Sequence, residues 1–113
     1  MALGLVGEAD KSMPVGTNGA YREAVKLWES RALIQVNRKL GFVPGIIEHR
    51  YHGRKSDRAY VSRWDMFVEH RFNPYTDLKR NSFGVLEFSG DKPDLERCFD
   101  RYLRSRNEDI NSL

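Results

Sequence analysis

Apolar side chains recur at Tyr21, Ala24, Val25, Trp28, Ala32, Leu33, Val36 and Leu40. Steps of three and four residues line one face of an α-helix. Thr17 or Asn18 can cap its start, accepting from an N–H of the first turn. Gly41 stands where a left-handed residue would close the helix, and Pro44 follows. The pattern predicts a helix over 19–40, with Trp28 turned to the core. A second helical stripe runs through Leu95, Cys98, Phe99, Tyr102 and Leu103. Asp91 and Pro93 suit its start, and Asp94 and Glu96 complement the positive end of its dipole. Asp100 and Arg104 are an i, i+4 pair, and Arg104 and Arg106 favour the negative end. Cys98 lies on the apolar stripe and is expected to face the core.

Between these helices the pattern turns β-like. Residues 45–52 alternate Ile47, His49 and Tyr51 against Ile46, Glu48, Arg50 and His52. Residues 82–89, SFGVLEFS, have strand composition. The stretch 59–72 fits two periods. As a helix its stripe is Tyr60, Val61, Trp64, Phe67, Val68, Arg71 and Phe72, with Asp57 as a cap and Asn73-Pro74 as a stop. Its aromatic and β-branched content, with the polar HGRKSDR before it, favours the second arm of a hairpin. The expected fold class is therefore α+β. It is a small single domain in α-β-β-β-α order, with a three-stranded antiparallel sheet and two helices on one face. In the alternative, residues 57–72 form a helix. Residues 1–17 hold Gly4, Gly7, Pro14 and Gly16 and are expected as a flexible N-terminal arm, or one docked only by Leu5 and Val6. The single domain then spans 18–113.

Composition narrows the class. A chain of 113 residues, 40% hydrophobic and 12% aromatic, suits one globular domain. Cys98 is the only cysteine, which rules out an intrachain disulfide and a Cys-rich zinc cage. The apolar run from Ala2 to Val6 is shorter than a secretory h-region and follows no basic segment. Ala2 stands where myristoylation needs Gly. No window is apolar enough to cross a membrane. The expectation is a cytoplasmic protein with no membrane partner.

Charge changes the picture more. Residues 31–80 carry eleven Lys/Arg against five Asp/Glu, whereas the two flanking segments are net acidic. The basic block peaks in HRYHGRKSDRAYVSR, residues 49–63. Guanidinium and ammonium groups neutralise phosphates, and aromatic rings stack on unpaired bases. The candidate residues for binding a nucleic acid or an acidic protein surface are Arg50, Tyr51, His52, Arg54, Lys55, Arg58, Tyr60 and Arg63. Arg54, Lys55 and Arg58, beside Gly53 and Ser56, are expected to be exposed at the tip of a basic hairpin. The first functional expectation is thus a small nucleic-acid-binding module.

Enzyme motifs are missing. The chain has no P-loop, no dinucleotide fingerprint after a strand and no nucleophile elbow. Asp65 and Glu69 are a two-acid match common by chance. His49 and His52 would fall on opposite faces of a strand, so no metal site is expected, and no cofactor. A non-enzyme is the favoured expectation. The α-β-β-β-α order invites comparison with double-stranded-RNA-binding domains. Their Lys-rich opening of the last helix is replaced here by the acidic DKPDLERCF, and no resemblance is drawn. Two further functions stay open. One is an accessory protein docking on an acidic or apolar surface, homo-oligomers included, through Leu27, Ile34 and Trp64. Leu27 and Ile34 lie on one line off the main stripe of the first helix, and Trp is enriched at binding hot spots. The other is a metal-independent RNase, with His49, His52 or His70 as acid or base and Lys55 or Arg58 stabilising the phosphorane.

Overall fold

Asn18 opens the first helix, its side-chain carbonyl accepting from the Ala20 N–H at 2.8 Å. The computed structural model, which describes residues 2–49 and 54–106, runs this helix, α1, over Gly19–Val36. It ends four residues before the predicted stop. Asn37 and Arg38 take left-handed φ values of 48° and 56°, and the Asn37 N–H bonds the Leu33 carbonyl at 2.9 Å. After glycine, Asn adopts that conformation most readily, so Asn37 and not Gly41 closes the helix. Leu40 is left off the helix.

Residues before α1 pack along it. Two 3-10 helices, Ala2–Val6 and Ala9–Ser12, lie against the helix, with Gly4, Ala9 and Met13 buried. Gly4 sits so close to the Trp28 ring that a Cβ there would collide with it. Trp28 nonetheless stays 38% exposed, less enclosed than its place on the stripe predicts. The Ala9 N–H donates to the buried Glu29 carboxylate at 2.6 Å, and Lys26 bridges Glu29 at 3.0 Å and Asp10 at 2.9 Å.

The expected three-stranded sheet does not form. Among the described residues the sheet has two short strands, β1 at Leu78–Arg80 and β2 at Leu86–Phe88, paired antiparallel with Leu78 opposite Phe88. The α+β class holds only in this coarse sense. The first expected strand, 45–52, has no strand partner over 45–49, and residues 50–52 lie outside the described residues. The third expected strand is helical instead: 3-10 turns at Lys55–Arg58 and Ser62–Trp64 lead into α2, Asp65–Glu69. Among the described residues the second arm of the expected basic hairpin is therefore absent.

The reason is visible at the end of α2. Arg71 is left-handed at φ 50°. The Phe72 N–H bonds the Phe67 carbonyl at 2.9 Å, and the Arg71 N–H bonds the Val68 carbonyl at 3.1 Å. These two bonds form a Schellman motif, whose usual apolar contact is here Phe67 against Phe72, ring centroids 5.2 Å apart. The helical period puts Trp64, Phe67 and Phe72 on one cluster with Tyr21 of α1. That packing outweighs their strand propensity.

The strand expected over 82–89 begins only at Leu86. Asn81 turns the chain before it: its side chain accepts from Phe83 and Val85 N–H groups, and Gly84, at φ 76°, donates to the Asn81 carbonyl. Gly84 meets the left-handed requirement of such a hairpin loop. Helix α3, Pro93–Ser105, closes the fold with Pro93 in its first turn as expected, and Arg104 bonds Asp100 at 2.7 Å.

Apolar burial is sparse. Among the described residues only Ala9, Met13 and Leu95 are buried apolar side chains. A polar knot joins the elements instead. The Arg71 carbonyl accepts from Asn18 at 3.0 Å and from Lys92 at 2.9 Å. Lys92 also pairs with the buried Asp77 at 2.8 Å, and Asp77 accepts from the Asn73 N–H at 2.8 Å. No helix among the described residues is long and apolar enough to cross a membrane.

Candidate functional site

Two surfaces gather the residues that carry chemistry. The first is basic and aromatic. Ala59, left-handed at φ 43°, separates the 3-10 turn at Lys55–Arg58 from the next and folds Tyr60 back over its neighbours. Arg58 donates to the Tyr60 hydroxyl at 2.8 Å, and the Arg63 guanidinium lies 5.0 Å from the Tyr60 ring centroid. The bond from Arg58 pulls the Tyr60 phenol below its usual range, and the charges of Arg58, Arg63 and Arg106 act in the same direction. Helix α3 supplies the far side: the Tyr102 hydroxyl donates to the Arg58 carbonyl at 3.2 Å, and Arg106 stacks over the Tyr102 ring.

Of the sequence-predicted binding residues, the fold brings Arg58, Tyr60 and Arg63 together. Arg54 and Lys55 are exposed on the adjoining turn. Arg58 is half-buried, because it holds Tyr60, and so departs from the exposure expected of it. Arg50, Tyr51 and His52 lie outside the described residues. Arg106 and Tyr102 were not singled out by sequence. Their signal is faint, since Tyr102 reads as core and Arg106 as a helix-end charge.

The second surface is apolar. Tyr21, Trp64, Phe67, Leu78, Leu86 and Phe88 line an open groove between α1, α2 and the hairpin. Leu86, at 55% exposure, marks its rim. Away from it, residues 40–47 carry Phe42, Val43, Ile46 and Ile47, each 88–93% exposed. Of the sequence-predicted interface residues, Leu27 is half exposed and Ile34 is 81% exposed. Trp64 instead packs into the aromatic cluster, 6.1 Å from Tyr21 and 5.9 Å from Phe67. Sequence reading missed residues 40–47 as a surface because it assigned them to a helix end and a strand.

Of the three histidines, His52 lies outside the described residues. His49 is exposed, and His70 is half-buried with its Nε2 3.9 Å from Cys98 Sγ. Cys98 is half-buried rather than enclosed. Among the described residues no three His, Cys, Asp or Glu side chains group as metal ligands. No family model, curated protein or solved structure matches this chain.

Proposed function

We propose that this chain works as a component of a protein assembly, with its apolar groove and residues 40–47 covered by protein in the working state. One observation carries this reading: the chain leaves Phe42, Val43, Ile46 and Ile47 almost wholly in water while burying only three apolar side chains among the described residues. Covering each such side chain is worth roughly 1.5–3 kcal/mol before ordering costs are subtracted. The free thiol Cys98 suits a reducing, cytoplasmic setting. The native chain, at a concentration where it is monomeric, should bind an apolar dye strongly, and Phe42→Asp with Ile46→Asp should cut that binding by more than half. A native monomer that binds no dye would refute the reading.

A second reading is favoured by the cations around Tyr60: a contact surface for phosphates, as in a nucleic acid. Arg54 and Lys55 are exposed, so Arg54→Glu with Lys55→Glu reverses charge without touching the packing. Affinity for a labelled RNA or DNA oligonucleotide should fall about tenfold or more at low salt in that variant, and should fall steeply with salt in the wild type. Fluorescence anisotropy at two salt concentrations decides it. Absence of salt-dependent binding to single- and double-stranded RNA and DNA would discard this reading.

A further inference from the structure

We infer that the basic surface around Tyr60 takes one doubly charged phosphate, a phosphomonoester such as the 5′ end of a nucleic-acid strand. The inference rests on the phosphate-contact reading of that surface and names its ligand class. Guanidinium groups from separate stretches of chain converge there on one phenol. Arg58 donates to the Tyr60 hydroxyl at 2.8 Å, and the Arg63 guanidinium lies 5.0 Å from the centre of the same ring. Arg106, 5.8 Å from the Tyr102 ring centre, is close enough for its charge to act on the Tyr60 phenol. The Tyr102 hydroxyl donates to the Arg58 carbonyl at 3.2 Å. That bond ties α3, and Arg106 with it, to the turn that carries Arg58.

The hydroxyl selects the ligand. A tyrosine O–H both accepts and donates. Arg58 takes the accepting side of Tyr60, and among the described residues no acceptor takes its proton. The side chain is half exposed, so an acceptor from solvent can reach it. The bond from Arg58, and then the nearby arginine charges, lower the phenol pKa, which makes it a stronger donor. A ligand that meets this donor and the converging guanidiniums needs several acceptor oxygens and a high charge at one point. A phosphomonoester brings three oxygens and a charge of about −1.5 to −2 at neutral pH. Diesters instead spread single charges along a strand, which suits the exposed Arg54 and Lys55 on the adjoining turn. Arg63 already lies over the Tyr60 ring, so a base stacking there would have to displace it.

Fluorescence anisotropy of the full chain tests this, with short single strands of one sequence that carry a 5′-phosphate or a 5′-hydroxyl and a label at the 3′ end. At low salt and neutral pH the 5′-phosphorylated strand should bind about tenfold or more tightly, the size expected of an added charge-assisted hydrogen bond. Tyr60→Phe keeps the ring under Arg63 and removes the hydroxyl, and Arg63→Gln removes one converging charge. Each should cut that preference about threefold or more, and Tyr60→Phe should leave affinity for the 5′-hydroxyl strand within about twofold. A wild-type melting curve for Tyr60→Phe by circular dichroism separates a lost contact from a lost fold. A nucleoside 5′-monophosphate as competitor distinguishes the sources of the monoester. Displacement at concentrations like the strand's own supports a site for free nucleotides. Displacement only at about tenfold higher concentration supports strand ends, whose following diesters meet Arg54 and Lys55. Equal, salt-dependent affinity for the two strands would overturn the inference and leave the phosphate-contact reading standing. A preference that both variants retain would also overturn it, because the monoester would then sit elsewhere. Absence of salt-dependent binding to either strand would sink both.

Discussion

Asp77 shows how single residues hold this fold where apolar burial is thin. Burial alone would raise its carboxyl pKa. Lys92, the Asn73 N–H and the Thr76 hydroxyl outweigh that and hold it below the usual carboxylate range. Glu29 is likewise lowered, by the bond from Lys26 and then by the Ala9 N–H. A carboxylate with a lowered folded pKa stabilises the fold above its unfolded pKa, and that contribution is lost as pH falls through the folded value. Unfolded Asp and Glu titrate near about 4. The melting temperature should therefore hold between pH 7 and pH 5 and fall below about pH 4. Asp77→Asn should lower stability at pH 7 and flatten part of that acid dependence, as circular dichroism melting will read. Gly4 makes a second residue-scale prediction. It is buried under the Trp28 ring, with no room for a Cβ. Gly4→Ala should destabilise by about 1–3 kcal/mol in urea unfolding and alter Trp28 fluorescence. Gly4→Ala with wild-type stability would mean that the N-terminal 3-10 helix is not packed on α1.

At the scale of elements, the long helices were legible and the short elements were not. The stripes of α1 and α3, the Asn18 cap and Pro93 in the first turn all follow from spacing and side-chain chemistry. The end of α1 was misplaced because glycine is the stronger signal for a left-handed stop, whereas Asn37 carries it. Asn37→Val should cost about 1–2 kcal/mol, since a β-branched side chain pays fully for that conformation. A neutral result in thermal unfolding would move the helix end back toward Gly41. Residues 59–72 fit both periods, and the choice fell to a tertiary contact, Phe72 and Trp64 against Tyr21 of α1, that no local pattern encodes. The strand β1 was missed because LKR is three residues with one apolar side chain, too short to show alternation. The candidate basic surface was partly legible: Arg58, Tyr60 and Arg63 were read as neighbours in sequence, but Arg106 and Tyr102 reach them only through the packing of α3.

For the whole molecule, the account turns on surface that the chain alone does not cover. Burial of the apolar groove or of residues 40–47 is favourable whatever the salt, whereas contacts of the basic surface with phosphate weaken as salt rises. The two surfaces can thus be separated by salt alone. The central claim, that the isolated chain leaves apolar area in water that its working state buries, is tested most directly by urea unfolding. The slope of unfolding free energy against denaturant scales with the area newly exposed, and small proteins give about 1–3 kcal/mol/M. Measured at a concentration where sedimentation shows monomer, the slope should fall below about 1 kcal/mol/M, because much of the apolar area is already exposed before unfolding. A slope well inside the ordinary range would mean that the monomer already buries its groove and residues 40–47, and would contradict the account.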